Sequence, residues 1–520
     1  MKIQSYRFLT LIFALLVAIA LRGEGQIKRY YTFERIEALY PWLTSGNAAG
    51  LIKKDFSDFS QVRAGLQSTS GLYRNLDDPE KNLNISLNTR SFVNRGNFFF
   101  KGAFEFSHFE RSNQAWSGTI SPRSVINMMT DSIPGRVLGE SYIMTGEMGY
   151  KISEIFAAGV GLNYETSSAA KRTDGRNRNI LSAIEIKPAV VFTLGGFTVG
   201  ANFIYKYGAE RVDYLFLGDP SGKNIYNFQG SWMYIKEGIT NTIVLDRGYF
   251  SDFYGGAVQA SFDSDKFNFY SELEVKYSGE NDYDGNNLLR RYALSEGLDY
   301  TYKGKISYNS DNSRHLLSVS LKSGERLSYK IENQYEPVPN EANTWNWFEY
   351  GKTLRFYDKE RNLRASYIFE TGGDRWNPLW KISLSGSLIK YSSEFIVYPA
   401  RYYQDYSIGG AELLVSRHLN IGRKAMIDIY LNGGACKGAG DVLSVENPLS
   451  TGVLHLADNL MTEDFLFKTS GRVAFGGGFS YRRVFNEKKG TTLFIDAGLR
   501  RFQRKGLSRN ILSVNLGVNF

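Results

Sequence analysis

Residues 97 to 108 read NFFFKGAFEFSH. Phe98, Phe100, Gly102, Phe104 and Phe106 alternate with Asn97, Phe99, Lys101, Ala103, Glu105 and Ser107. Successive side chains of a strand point to opposite faces, so one face here is aromatic and the other largely polar. The pattern recurs. Phe267, Phe269, Leu273 and Val275 oppose Asn268, Glu272, Glu274 and Lys276. Leu298, Tyr300, Tyr302, Ile306 and Tyr308 oppose Asp299, Thr301, Lys303, Lys305 and Asn309. Short turn signals join such strands in pairs, at Asn94-Arg95-Gly96, Leu194-Gly195-Gly196, Asp263-Ser264-Asp265, Asn309 to Asn312 and Asn486 to Gly490. Longer polar stretches, near 110 to 139, 211 to 250, 332 to 349 and 437 to 466, separate the pairs. Alternating short turns and long loops predict an all-β chain folded as a single transmembrane antiparallel β-barrel over residues 59 to 520, with about 16 to 18 strands and 18 favoured. Pro188 falls inside one strand-like run and reads as a bulge or strand end.

Composition agrees. The chain of 520 residues has 52 Gly, 11 Pro, one Cys and 15% aromatics. A ladder in lipid tolerates few prolines, its curved wall uses glycine, and interfacial girdles use aromatics. The single Cys436 excludes an internal disulfide framework and a cysteine zinc cluster. Residues 1 to 25 read as a secretory signal peptide, with Lys2 and Arg7 before the apolar run Phe8 to Leu21. That run is too short for a spanning helix, and no later stretch is long enough. Removing residues 1 to 25 lowers the formal net charge from +9 to +7. This excess is modest, and a secreted barrel predicts no nucleic-acid partner.

The C-terminus is the most specific local signal. Leu512, Val514, Leu516, Val518 and Phe520 alternate with polar or small residues and end the chain on an aromatic. This resembles the terminal strand by which barrel-assembly machinery recognises outer-membrane proteins. It implies an outer-membrane address in a Gram-negative bacterium, with outer-membrane lipid and lipopolysaccharide as surroundings. Residues 26 to 58 show no alternation. A helix near 33 to 39 is expected, with Pro41 helping to end it. This segment reads as a lumenal plug, carried by Tyr40, Pro41, Trp42, Asn47 and Leu51. In this it is similar to the long-chain fatty-acid transporters of the outer membrane, which place an N-terminal segment inside the barrel. The run Pro41 to Leu51 followed by a whole-length barrel also resembles an uncharacterised outer-membrane barrel family, which implies a barrel and no activity.

No pattern for chemistry stands out. His108, His315, His418 and His455 have no metal-binding spacing, so neither catalytic residues, nor metal, nor cofactor are expected. Gly476-Gly477-Gly478 reads as wall curvature. Asp282, Asp284 and Asn286 resemble a fragment of a calcium loop but lack the downstream Glu. Trp345, Trp347, Phe348 and Tyr350 read as a loop offering a binding surface or a rim girdle. Arg500, Arg501, Arg504, Lys505 and Arg509 form a basic cluster suited to lipopolysaccharide phosphates. The favoured function is a passive channel or transporter for an unidentified small solute. The alternatives are a non-transport component (adhesin, secretion or receptor-associated factor) and a barrel-embedded hydrolase.

Overall fold

The computed structural model describes residues 32–520 except 55, 57, 122–123, 218–222, 231, 239–243, 286–288, 342, 398–399, 423, 446–457 and 487–490. The expected signal peptide, His455 and Asn286 lie outside the described residues. No described helix is long and apolar enough to cross a membrane. The architecture is an 18-stranded antiparallel sheet closed on itself, with a separate three-stranded sheet. Closure comes from the first strand, Phe59–Gly71, pairing with the last, Leu507–Asn519, from Gln61↔Asn519 to Gly71↔Arg509. The Phe520 N–H donates to the Ser60 carbonyl at 2.9 Å and the Ser60 N–H returns the bond at 2.7 Å. The expected C-terminal residues therefore sit on the closing seam, with Leu512, Leu516 and Phe520 exposed.

Alternation sets the two faces. On the strand Arg176–Leu194, Ile180, Ile184, Ile186, Val190 and Phe192 are exposed outward, while Asn177, Asn179 and Val191 are buried inside. A one-residue slip would exchange these sets, so register is strongly specified. Aromatic pairs decorate the short-turn side of the outer face. Phe98 and Tyr150 lie 4.6 Å apart, as do Phe197 and Phe262. His315 belongs there too, bonded to the Tyr367 hydroxyl at 2.7 Å.

Three local expectations need correction. Pro188 makes neither bulge nor strand end. Its strand runs through it, pairing Val160↔Pro188, and only the bridges at 187 and 188 toward the next strand are missing while register is kept. A proline removes a donor on one side only. Trp345, Trp347, Phe348 and Tyr350 are not in a loop. They open the strand Trp345–Gly373; Trp345, Trp347 and Phe348 pair with Pro337, Tyr335 and Gln334 of the strand Ser313–Pro337, and Tyr350 sits at a register shift. Cross-strand aromatic packing extends this hairpin, with Tyr335 5.7 Å from Trp345 and 5.2 Å from Trp347. Asp282 and Asp284 likewise end the strand Phe267–Asp284, and Asp284 pairs with Arg247 and Arg290.

The wall is uneven at its loop end. The strand Ala425–Val445 pairs with Arg472–Asn486 only from Ala425↔Arg483 to Cys436↔Arg472. Beyond Cys436 the described ladder to that neighbour stops.

The two faces predict opposite outcomes for adjacent positions. Leu384, 55% exposed on the lipid side, changed to Arg is expected to cost about 2–4 kcal/mol. Ser385→Arg, on the inner face, is expected to leave the barrel near wild-type stability. Urea unfolding in lipid vesicles, followed by gel mobility shift, measures both; equal losses would refute the facing.

Candidate functional site in the barrel lumen

Much of the lumen is filled at both ends. At the short-turn end the filler is the N-terminal segment. Its helix α1, Phe33–Leu39, is capped by the Thr32 hydroxyl, which accepts from the Arg35 N–H at 3.1 Å. Two 3-10 turns follow, Pro41–Thr44 and Ala48–Lys53. Pro41 opens the first, where its missing N–H costs nothing. Phe33, Ile36, Leu43 and Leu51 are at most 2% exposed and pack with Phe59, Phe92 and Phe99 of the wall. Tyr40 lies 5.3 Å from Phe56, ring to ring, with Arg375 over its face.

The polar contacts of this segment reach around the wall. Trp42 Nε1 donates to the Ser261 hydroxyl at 2.9 Å, and its ring meets Tyr270 edge-on at 5.5 Å. Asn47 Nδ2 donates to the Val190 carbonyl at 3.0 Å and to Gln259 Oε1 at 2.9 Å, while its Oδ1 accepts from the Ala49 N–H at 3.1 Å. Arg35 pairs with Glu370 at 2.6 Å. Burial pushes the Glu34 carboxyl up, but its backbone hydrogen bond and Arg90 outweigh this and hold it below the usual carboxylate range. Ala48 and Ala49 lie on the cross-strand pair Gly149↔Gly159. A Cβ on Gly159 would stand 2.5 Å from the Ala49 nitrogen, so the glycine is what permits the approach.

At the loop end the fillers are the connections near 115–134 and 223–238 and the helix α2, Asp458–Thr469. Met129–Thr130, Asn224–Phe228 and Tyr234–Gly238 form the small sheet. Trp116 and Trp232 pack edge-on against Phe228 of this sheet and against each other, and join Tyr214, Tyr249 and Phe356 of the wall in the largest apolar cluster among the described residues. Asn127 is the polar anchor. Its Nδ2 donates to Asp282 Oδ2 at 2.8 Å and Ser328 Oγ at 3.0 Å, and its carbonyl accepts from Arg247 at 2.9 Å. Lys171 holds Asp131 at 2.5 Å. Burial pushes the Asp131 carboxyl up despite that lysine.

The wall also lines a chamber of about 570 Å³, to which neither filler contributes a side chain among the described residues. Its wall follows from register. Lys303, Ser320, Arg364, Ser387, Gly410, Cys436 and Arg472 are successive cross-strand partners, one per strand. The adjacent row runs Lys305, Ser318, Ser366, Ser385, Glu412, Gly434. Serine and glycine leave space where bulkier residues elsewhere fill it. Lys303 is neutralised by Glu272 at 2.8 Å and Arg500 by Glu412 at 3.0 Å. A second cavity, about 400 Å³, lies nearer the loops and carries Glu280, Asp299 and Glu360.

Of the residues singled out from sequence, Trp42, Asn47 and Leu51 contact the inner wall directly, and Tyr40 packs beside them. Trp345 and Tyr350 stand exposed on their hairpin, away from the chamber. The basic cluster is divided: Arg500 turns inward, while Arg509 donates to the Pro79 carbonyl at 3.2 Å. Cys436 lines the chamber. His418 is engaged by Asp428 at 2.6 Å and Asn420 at 3.2 Å. Arg364 and Arg472 escaped the sequence reading. The register rows single them out, and those required knowing which strands pair.

Over residues 48–520 the chain matches a family described as a family of unknown function (DUF6850). No relative is found among curated proteins. Among solved structures it is similar to the copper transporter OprC, at 12% identity over 90% of this chain and 81% of that one, with a TM-score of 0.39. BauA, the ferric preacinetobactin receptor from Acinetobacter baumannii, is 10% identical over 89% and 80%, with a TM-score of 0.38. The Pseudomonas putida toluene transporter TodX is 11% identical over 96% and 95%, with a TM-score of 0.30.

The contacts of Asn47 and Gly159 are open to test. Asn47→Ala removes four hydrogen bonds, among them the one to the buried Gln259 amide oxygen, an expected cost of about 1–3 kcal/mol to docking of the segment. Gly159→Leu is expected to expel the segment while the barrel still resists denaturation on gels. Limited proteolysis within residues 32 to 58 reads both; wild-type resistance in Gly159→Leu would contradict the packing.

Proposed function

The chain belongs to the DUF6850 family of unknown function, and from that premise we propose that it is an outer-membrane transporter for a small polar solute, closed at rest at both ends. The observation that carries this is the polar chamber inside a sealed antiparallel barrel. A barrel of 18 strands encloses more lumen than its own side chains fill. Here two added structures occupy part of the excess, one at either end, and a space of solute size remains against the wall. A barrel serving only as an anchor or adhesin has no need of such a chamber. The outward apolar face and the signal-like N-terminus support the outer-membrane address.

In this reading residues 32–58 act as a plug, and the loop near Asn127 acts as a lid. Their attachments differ in kind. The plug is held by apolar burial and hydrogen bonds to wall carbonyls. The lid rests on an apolar cluster and on one asparagine backed by a buried arginine. Passage of a solute requires each to yield.

Planar-bilayer recording and liposome uptake test the proposal. The intact chain is expected to show small or brief conductance. Deleting residues 32 to 58 is expected to raise it several-fold, and Asn127→Ala to lengthen openings. If the deletion leaves conductance and uptake unchanged, the plug is wrong. If no variant conducts or admits solute, the transporter reading falls.

A further inference from the structure

We propose that the chamber is a binding site for a small oxyanion-bearing solute, one that carries phosphate or carboxylate groups together with hydroxyls; this rests on the transporter reading and gives it a substrate class. The two rows bring Lys303, Lys305, Arg364 and Arg472 to one cavity, where Arg500 of the neighbouring strand joins them, against a single lining carboxylate, Glu412. Lys303 and Arg500 already have acidic partners. Lys305 lies in the field of Glu37 and Glu272. Arg364 and Arg472 form no ion pair among the described residues. Two unneutralised cations on one cavity wall are a standing electrostatic cost that a bound anion relieves. Both are arginines, whose planar fork matches phosphate and carboxylate oxygens in pairs.

The rest of the lining fits the other half of such a solute. Ser318, Ser320, Ser366, Ser385 and Ser387 present hydroxyls that donate to or accept from polar groups. The volume of about 570 Å³ is within the range of small-molecule sites. The nearest acids on the same strands, Asp299 and Glu360, stand four residues from Lys303 and Arg364, or about 13 Å along the strand. That exceeds the screening length of roughly 8–10 Å in salt, so they do not cancel the field in the chamber.

The flank of the chamber is basic as well. Where the ladder beyond Cys436 stops, a groove of about 860 Å³ shares Gly410, Cys436 and Arg472 with the chamber and also carries Lys437, Arg504 and Lys505.

Cys436, the only cysteine of the chain, sits between Gly410 and Arg472 in the row and reports the local field without any engineered label. The full chain in detergent is treated with an anionic sulfonatoethyl and a cationic trimethylammonioethyl methanethiosulfonate, each rate divided by that for free cysteine. The anionic reagent is expected to be favoured about tenfold at low salt, less at high salt. Inorganic pyrophosphate is expected to slow the reaction. Arg364→Gln with Arg472→Gln is expected to bring the ratio close to one and abolish protection, while Arg501→Gln changes neither. Equal or faster reaction of the cationic reagent, no protection by pyrophosphate, or inaccessibility of Cys436 to both reagents overturns the proposal. Protection by purified lipopolysaccharide matching that of pyrophosphate at equal phosphate overturns the small-solute assignment in favour of a lipid headgroup. Thiol kinetics need no flux across the membrane, so a barrel that fails to conduct would refute transport and leave this site standing.

Discussion

Every backbone donor and acceptor in a lipid-facing wall must find its partner within the wall. That constraint governs the rest of the structure. It requires the first strand to meet the last, which the bonds between Ser60 and Phe520 help to accomplish. It also fixes register, and register with a period of two decides which residue sees lipid and which sees the lumen. The chamber is a product of this bookkeeping. No loop brings Arg364 and Arg472 into one cavity; they meet because successive ladders place them on one line of cross-strand partners.

The inner face is divided by side-chain size and polarity. Where it carries aromatics, something docks. Phe92 and Phe99 receive the N-terminal segment, and Tyr214, Tyr249 and Phe356 receive the inward loops. Where it carries glycine, a backbone comes close, as at Gly149 and Gly159. Where it carries serine and glycine with spaced cations, the space stays open. The outer face is uniform by comparison, because lipid asks only for apolar surface and girdles.

The barrel was legible in the sequence because its signal is periodic and repeated many times. Eighteen strands, the closing C-terminal strand and the position of the first helix all follow from local pattern. The misreadings have a shared cause: local polarity does not report pairing. Trp345 to Tyr350 look like a loop because the residues around them are polar, yet ladder bonds to Asn333 to Pro337 carry the strand beyond the rim. Pro188 looks like a break, yet one lost donor does not stop a strand held on its other side. Arg500 sits in a basic run, but alternation separates it from Arg501 and turns it toward Glu412. Phe99, on the polar side of the quoted segment, was the one local clue that the lumen is not merely wet. The chamber itself could not be read from the chain, since its lining is spread over strands far apart in sequence.

The line of partners from Lys303 to Arg472 is not level. Lys303 stands six residues from the turn-side end of its strand at Asn309, whereas Arg472 stands fourteen from the turn-side end of its own at Asn486. A line drawn perpendicular to tilted strands climbs as it goes around. Six steps of about 4.8 Å at a tilt near 40° lift it by roughly 18 Å along the barrel axis. The row is therefore a ramp wound inside the cylinder. On the proposed transport reading, a solute handed from one side chain to the next along it turns as it advances, at a pitch set by the tilt of the strands.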